Sequence, residues 1–284
     1  MKCKHVQVIY SCCNRPVMPE HSKPKLIALD IDGTLLSSNL TVLPKTKVAL
    51  QSVAAKGHRV VVASSRPPRS VRAIADSLEI DSSVTVSFGG AYILGGNRIL
   101  FEQTLSPELA TEIVMRVRNA ALHASLYSAE RWFVEQNDDW AEQEAKIVGF
   151  TPTLVGDLLH ETGHVHKFLV MGEAEKIAAF REALLVSDLK VDAVRSKPVY
   201  CEVNPDGIHK ASAVELVAKH FGLTLADVIA FGDGENDLTM IREAGTGVAM
   251  DNAVASVKAV AKLVTKSNDE DGIAVALEEL GLLK

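Results

Sequence analysis

The sequence predicts an α/β fold built on a parallel sheet, with an α+β segment inserted into it. Short apolar runs, at Leu26–Leu29, 58–63 and 228–231, alternate with helix-like stretches. This alternation is typical of parallel strands that are covered by helices on both faces. From about residue 88 to residue 204 the pattern changes to strand pairs and longer helices. The 284 residues suffice for one large domain or two smaller ones.

The first part of the chain predicts three strands and two helices. The run that begins at Lys25 is a buried strand that ends in Asp30 and Asp32 and turns at Gly33. A proline in the first turn and a glycine stop mark a helix over 44–56. The other elements predicted here are a strand over 58–63, a helix over about 70–78 and a strand from residue 84.

The inserted segment is predicted to form one sheet with helices on one face. The sequence Gly-Gly-Asn at 95–97 separates two short apolar runs, which is typical of a hairpin. Ser106, followed by Pro and Glu, is a helix cap. The predicted elements are strands over 92–94 and 98–101, a helix from residue 106, strands within 124–135, a helix over 138–148, a strand over 167–171, a helix over 173–185, and strands over 191–195 and 200–203.

The parallel pattern returns after a turn at 204–207. A buried strand over 228–231 ends in Gly-Asp-Gly-Glu-Asn-Asp, which carries Asp233, Asn236 and Asp237. The other predicted elements are helices over 209–221, up to about 244, around 254–261 and from 270, and a strand over 247–250.

Composition and charge narrow the class of protein. A net charge of −6, without a Lys/Arg block, argues against a nucleic-acid-binding surface. No apolar run is long enough to span a membrane. Three of the four cysteines lie within residues 1–23, a pattern that fits a reducing compartment, so we expect a cytoplasmic protein. Residues 1–23 are expected to form a flexible extension outside the core, with Met18 as an alternative start.

Three predicted strands end in polar turns, which carry Asp30 and Asp32, Ser64 and Ser65, and Asp233 and Asp237. Parallel strands bring their carboxyl ends to one edge of a sheet, so these groups are expected to converge. The carboxylates suit Mg²⁺, and the amides that follow Asp32 and Ser64 suit phosphate oxygens. Lys210, at the start of a predicted helix, would add a fixed positive charge. From the first turn alone, a polar turn that ends a core strand is an equally good interpretation.

A calcium-binding EF-hand loop is excluded, although both acidic turns resemble fragments of one. A loop that opens at Asp30 or Asp233 needs Glu at its twelfth position. Thr41 and Ala244 occupy those positions, and strands rather than helices precede both turns.

Four motifs, in this order, resemble those of haloacid dehalogenase (HAD)-type phosphatases: Asp30-x-Asp32-Gly33-Thr34, Ser64-Ser65-Arg66, Lys210, and Gly232-Asp233-x-x-Asn236-Asp237. Their spacing is similar to that of the Cof-like group, and the segments 248–253 and 268–273 are typical of its C-terminal part. The resemblance covers residues 25–284. It implies a Rossmann-like parallel-sheet core at 24–87 and 198–284, and an α+β cap domain at 88–197 that sets substrate specificity.

The resemblance also implies a role for each motif residue. Asp30 would attack phosphorus to form an aspartyl-phosphate, and Asp32 would act as acid and base. Mg²⁺ would be held by Asp30, the carbonyl of Asp32 and Asp233, with Asp237 close by. The residues assigned to the transferring phosphate are Ser64, Ser65, Lys210 and Asn236. Arg66 and Gly33 are assigned to the substrate, with Arg66 capping a neighbouring loop as an open alternative.

The sequence departs from the family pattern at three positions. Ser65 replaces the usual Gly of the second motif, Gly89 stands where Asn is usual, and Ala211 replaces the Gly that usually follows the lysine. None of the three is an implied nucleophile, acid or metal ligand. They therefore bear on substrate preference and leave the reaction class unchanged.

The predicted function is Mg²⁺-dependent hydrolysis of a small phosphorylated metabolite. A sugar phosphate is favoured over cofactor phosphates such as flavin mononucleotide or pyridoxal phosphate, and a monomer or homodimer is expected. Two alternatives stay open. A phosphomutase would pass the aspartyl-phosphate to a sugar hydroxyl, and a non-catalytic sensor would bind a phosphate ligand without turning it over.

His160, His164 and His166 form a cluster that the four motifs do not use. Gly163 interrupts any helical spacing, and no Cys or acid completes the set at metal-ligand intervals, so loop or surface positions are favoured over a zinc site. Trp132 and Trp140 are assigned to the core of the inserted segment, with substrate stacking as the alternative.

Overall fold

The computed structural model describes residues 23–81 and 84–284. These residues form two β-sheets with helices packed against them. Apart from Lys23, the predicted N-terminal extension lies outside the described residues, and so does Met18. Across the two described ranges, no helix is both long and apolar enough to cross a membrane.

The bounds of most elements agree with the predicted ones to within a few residues. The strands are β1 (Leu26–Leu29), β2 (Arg59–Ala63), β3 (Val84–Ser87), β4 (Tyr92–Gly95), β5 (Arg98–Glu102), β6 (His123–Ser128), β7 (Arg131–Val134), β8 (Thr153–Leu154), β9 (Lys167–Met171), β10 (Val191–Lys197), β11 (Tyr200–Pro205), β12 (Val228–Gly232), β13 (Thr246–Ala249) and β14 (Leu263–Val264). The helices are α1 (Pro44–Ala55), α2 (Pro68–Ser77), α3 (Pro107–Asn119), α4 (Asp139–Val148), α5 (Ala174–Leu185), α6 (Lys210–His220), α7 (Leu238–Glu243), α8 (Ala255–Val260) and α9 (Gly272–Glu279).

The first sheet has the strand order β14-β13-β12-β1-β2-β3-β4-β5. Pairing is parallel from β14 to β3 and antiparallel from β3 to β5. Alternate residues of β1 face opposite sides of the sheet, so Leu26 and Ala28 pack with α6, α7 and α8, while Ile27 and Leu29 pack with α1, α2 and α9. The predicted α/β fold, with a parallel sheet covered on both faces, is confirmed.

The second sheet has the order β10-β11-β9-β6-β7-β8 and is mainly antiparallel. Helices α3 and α5 pack on one face, through Ile113 and Ile177 among others. Helix α4 packs on the other face, where Ala141 contacts the cluster that contains the buried Trp132. The prediction of helices on one face is therefore wrong for α4, because periodicity shows that a helix has a buried side but not which sheet face receives it.

The predicted boundaries of the insert, at residues 88 and 197, do not follow the two sheets. The hairpin β4–β5 was assigned to the insert but pairs with β3 and extends the first sheet. The resemblance assigns strand β11 to the core at 198–284, whereas the residue pattern assigns it to the insert, and the strand pairs with β9 and β10 in the second sheet. The sequence pattern of a hairpin specifies the turn between its two strands, but it does not specify which sheet the hairpin joins. Sheet membership therefore changes near residues 103 and 205.

Candidate active site

The predicted motif residues meet at the carboxyl ends of β12, β1 and β2, which lie side by side in the first sheet. They surround a cavity of about 320 Å³ between the two sheets. The motif residues that line it are Asp30, Asp32, Gly33, Ser64, Ser65, Arg66, Asp233 and Asn236. Lys210 and Asp237 are buried next to it, with 1% and 0% of their side chains exposed. All the sequence-predicted site residues therefore lie in one place.

Lys210 joins two of the acids. Its Nζ donates to Asp30 Oδ1 at 2.5 Å and to Asp237 Oδ1 at 2.6 Å. Burial alone would lower the pKa of Lys210, but Asp237 and Asp30 raise it well above its ordinary value. Lys210 is therefore a permanent cation that holds the predicted nucleophile in place.

The start of α6 positions this lysine. His209 is the N-cap, and its Nδ1 accepts a hydrogen bond from the amide of Ser212 at 3.1 Å. A cation in the first turn opposes the helix dipole, so Lys210 depends on its two carboxylate partners. Ala211, one of the departures from the family pattern, is buried and packs in the cluster that contains Leu26. Its methyl group is core packing and does not face the cavity.

Asp237 shapes the loop that follows β12. Its Oδ2 accepts hydrogen bonds from the amides of Asp233 and Gly234, both at 3.0 Å, while its Oδ1 accepts from Lys210. Both oxygens are thus engaged within the protein. The geometry favours Asp237 as the residue that orients Asp233 toward the cavity.

The acids of the site form a group that suits a divalent cation. Asp30, Asp233 and Asp237 each offer a carboxylate oxygen within 4.8 Å of the others. Burial and the neighbouring Asp237 raise the pKa of Asp233 to about 6, and the same two causes raise the pKa of Asp30 well above its ordinary value. Lys210 offsets only part of this crowded negative charge. A set of carboxylate oxygens is the donor set that Mg²⁺ prefers, so the residues fit the predicted metal.

Gly33 has a spatial reason to be glycine. Its φ is +81°, and a Cβ at this position would lie 2.4 Å from Asp233 Oδ2. The loop after β1 can therefore approach Asp233 closely only without a side chain. Gly33 lines the cavity, and its backbone is the part that faces it.

Asp32 is held by Arg66. The guanidinium donates from Nε to Asp32 Oδ2 at 2.8 Å and from Nη2 to Oδ1 at 2.6 Å. Burial alone would raise the pKa of Asp32, but the bonds and charge of Arg66 keep it below its ordinary value. Arg66 Nη1 also donates to the carbonyl of Ile147 in α4 at 2.7 Å. The open alternative was that Arg66 caps a neighbouring loop, and the carbonyl that it contacts belongs instead to the last turn of helix α4.

The family model of haloacid dehalogenase-like hydrolases matches residues 27–277. The chain belongs to this family. The resemblance inferred from the four motifs is thereby confirmed, as is the prediction of a hydrolase.

Relatives and solved structures agree with this assignment. YkrA of Bacillus subtilis is 34% identical over 266 residues, which cover 92% of this chain and 99% of YkrA. A second B. subtilis protein, 5-amino-6-(5-phospho-D-ribitylamino)uracil phosphatase YcsE, is 32% identical, over 89% of this chain and 94% of its own. The structure of BT4131, described as a HAD subclass IIB sugar phosphatase, has a TM-score of 0.81 at 25% identity and covers 91% of this chain and 99% of its own.

Two departures of this HAD-like hydrolase lie next to each other. Ser65 Oγ accepts a hydrogen bond from Asn236 Nδ2 at 3.4 Å. A Cβ at Gly89 would lie 3.8 Å from the same Ser65 oxygen. The hydroxyl that this chain has gained at Ser65 thus borders the space where the family usually has an Asn side chain. Ser64, in turn, accepts a hydrogen bond from the Arg66 amide at 3.1 Å and so shapes the turn.

The C-terminal segments 248–253 and 268–273 form hydrogen bonds with the loop after β1. Asn252 Nδ2 donates to the carbonyl of Gly33 at 2.7 Å, and Asn268 Nδ2 donates to that of Leu36 at 2.8 Å. Asn252 Oδ1 accepts from the Asn268 amide at 3.0 Å. These two residues therefore hold in place the loop that carries Asp32.

Sequence reasoning missed the polar side chains that the second sheet contributes to the cavity of this hydrolase. They include Glu144 of α4, Lys167 of β9, and Lys197, Tyr200 and Glu202 of β10 and β11. One signal was present, because Lys167 begins a strand whose five residues are all buried. A buried charge in an apolar strand indicates a specific partner.

The predicted histidine cluster forms in part and contains an acid that the spacing did not reveal. His164 Nε2 and His166 Nε2 each lie 3.5 Å from a carboxylate oxygen of Glu102. The amide of Ala129 donates to His166 Nδ1 at 3.1 Å, so the neutral ring carries its proton on Nε2. That proton would have to leave before a metal ion could bind Nε2. The expectation that no acid completes the set is wrong, because Glu102, His164 and His166 offer ligand atoms within 4.8 Å of one another.

The fully buried His166 predicts a pH-dependent stability. Burial, then the neighbouring His164, lower its pKa to about 4, against the partial opposition of Glu102. As the pH falls, the histidine of the unfolded chain is therefore protonated before the buried His166 of the folded protein. Neutral His166 thus contributes on the order of 3 kcal/mol to the free energy of unfolding above pH 6.5, and this contribution is lost as the pH falls toward 4. We expect the difference in Tm between the wild type and His166→Asn to be larger at pH 7.5 than at pH 5.

The exposed His160 provides the control for this measurement. His160→Asn controls for the loss of a histidine as such, and it should lower Tm at pH 7.5 much less than His166→Asn does. A His166→Asn difference that is the same at both pH values would contradict the prediction.

Proposed function

We propose that this hydrolase is a Mg²⁺-dependent phosphatase that acts on a small phosphorylated metabolite, a sugar phosphate in first place. The observation that carries the proposal is Asp30, held by the buried Lys210 at a strand end and grouped with Asp233. A fixed carboxylate beside a cation and a divalent-metal donor set is the arrangement that phosphoryl transfer to a carboxylate requires.

In the proposed reaction, the Asp30 oxygen that is not bound to Lys210 attacks phosphorus. The P–O bond to the leaving group breaks, and the leaving oxygen takes a proton from Asp32. Asp32 then removes a proton from water, and that water attacks the aspartyl-phosphate to release inorganic phosphate and restore Asp30. Mg²⁺, held by Asp30, Asp233 and the Asp32 carbonyl with Asp237 nearby, would supply charge that screens the anionic nucleophile from the phosphate.

The two hydrogen bonds from Arg66 to Asp32, which we call the fork, must break before Asp32 can act as an acid. A carboxylate bound to a guanidinium does not retain a proton near neutral pH. The proposed phosphate ligands Ser64, Ser65 and Asn236 lie beside this fork on the cavity wall. An entering phosphate offers Arg66 another anionic partner. Substrate binding would thus release Asp32 for proton transfer.

The domain division and the substrate class belong to the same proposal. The second sheet, from about residue 103 to 205, would be the cap, since its residues close the cavity opposite Asp30. Two similar proteins are named for phosphates attached to polyhydroxylated carbon chains, a ribitylamino compound for YcsE and a sugar for BT4131. We further propose a cytoplasmic monomer or homodimer that binds neither nucleic acid nor membrane.

A panel of phosphomonoesters tests this function, with phosphate release measured in Mg²⁺ and in EDTA. We expect sugar phosphates to be hydrolysed only when Mg²⁺ is present. Conversion to an isomeric sugar phosphate without phosphate release would identify a phosphomutase. Binding of phosphate compounds without turnover would identify a sensor, and either result would contradict the proposal.

A further inference from the structure

Three charged side chains, on α4, β9 and β11, face the cavity opposite Asp30, and we call them the polar trio: Glu144, Lys167 and Glu202. Each is nearly buried, with 6%, 4% and 5% exposed. Lys167 Nζ donates to the carbonyl of Ser65 at 2.8 Å and lies 3.1 Å from Glu202 Oε2. Lys167 therefore connects the trio directly to Ser65, a proposed phosphate ligand. The trio and the proposed phosphate ligands Ser64, Ser65 and Asn236 line the same cavity.

The trio retains unused hydrogen-bonding capacity. Tyr127 donates to Glu144 Oε1 at 3.2 Å, and Lys167 is the partner of Glu202. Within 23–81 and 84–284, no other group donates to either carboxylate. Burial also raises the pKa of Glu144, although Lys167 opposes the shift. Buried charges that keep free lone pairs toward a cavity indicate a polar ligand.

The cavity wall disfavours an aromatic leaving group. Among the described residues, Tyr200 is the one aromatic side chain that lines the cavity. Its ring lies 4.8 Å from Lys197 Nζ, and its hydroxyl accepts from Gln143 Nε2 at 2.9 Å. Trp132, the alternative stacking residue, is buried at 1% exposure in the apolar cluster that packs against α4, and it does not line the cavity. A flavin or pyridoxal ring would find little to stack on.

We propose that Glu144, Lys167 and Glu202 recognise the hydroxyl groups of a neutral polyol chain that carries the phosphate. A hydroxyl both donates and accepts, so one hydroxyl can accept from Lys167 while it donates to Glu202, and a second can bind Glu144. The charge of Lys167 is already balanced by Glu202, so neither an anionic nor a cationic substituent is required. This inference rests on the proposed phosphatase function and narrows it to polyol and sugar phosphates.

The test compares a substrate that has hydroxyls with one that has none. Wild type, Glu202→Gln and Glu144→Gln are assayed with sorbitol 6-phosphate, glucose 6-phosphate and 4-nitrophenyl phosphate, and the wild type also with O-phosphoserine and pyridoxal phosphate. We expect each variant to lower kcat/KM for the first two substrates, mainly through KM, at least about tenfold more than it lowers kcat/KM for 4-nitrophenyl phosphate. The glutamine side chain keeps the shape of glutamate, and a thermal melt verifies folding.

Glu112→Gln is the matched control, since Glu112 forms an exposed pair with Arg116 in α3, on the other face of the second sheet. It should change neither substrate class. Equal losses on all substrates, or no loss on any, would overturn the inference while the phosphatase function stands. A wild type that prefers O-phosphoserine or pyridoxal phosphate to both polyol phosphates would overturn it too. If the wild type hydrolyses none of these compounds, the proposed function itself fails.

Discussion

Asp30→Asn is expected to abolish phosphate release, with kcat lower by about 10⁴- to 10⁶-fold, because an amide cannot form the proposed aspartyl-phosphate. The same change should not destabilise the metal-free protein. Burial and Asp237 raise the pKa of Asp30, which means that the ionised form is unfavourable in this place. A neutral isostere relieves that repulsion, and Lys210 keeps its bond to Asp237.

Two measurements on Asp30→Asn separate these effects. Phosphate release reports the chemistry, and Tm in EDTA and in Mg²⁺ reports the charge balance. We expect the Tm in EDTA to equal or exceed that of the wild type, and the increase in Tm caused by Mg²⁺ to shrink because one ligand is lost. Residual turnover above one hundredth of the wild type would rule out Asp30 as the nucleophile.

Lys210→Met is expected to have the largest effect on stability of any single substitution in the site. The lysine is 1% exposed and lies between two buried carboxylates, Asp30 and Asp237. Its removal leaves both without a cation, and breaking a buried pair in this way costs about 3–5 kcal/mol. Activity should also fall to background, because Lys210 orients Asp30. Urea unfolding and phosphate release measure the two losses.

Lys219→Met, on the same helix, is the matched control. Lys219 pairs with Glu215 at the surface, with 62% of its side chain exposed, so its loss should change stability by less than about 1 kcal/mol. If Lys210→Met proves no more destabilising than Lys219→Met, the buried pairs contribute less than the geometry indicates. Cations in the buffer, such as Na⁺, can partly replace the missing ammonium charge, so both variants are compared in the same low-salt buffer.

Much of the fold and of the candidate site could be predicted from local patterns. The strands are short apolar runs, and parallel strands must bring their carboxyl ends to one edge, so the convergence of Asp30, Ser64 and Asp233 follows from the pattern. Lys210 could also be singled out, since a cation at a helix start needs a specific partner. These inferences succeed because they depend on chain order and on sheet geometry, which neighbouring residues encode.

The remaining features depend on contacts between distant segments. The hairpin β4–β5 joins the first sheet, and α4 packs on the cavity side of the second sheet, where the carbonyl of Ile147 meets Arg66. The polar trio likewise comes from α4, β9 and β11, which are far apart in the chain.

The sequence by itself thus determined the family, the α/β class and the position of the acids at one sheet edge. Only the tertiary structure decided that Arg66 binds Asp32 and that Asp237 accepts hydrogen bonds from Lys210 and from the amides of the loop after β12. It also decided that the polar trio forms the opposite wall of the cavity. Periodicity shows that a side chain is buried, but packing between elements determines which partner it meets.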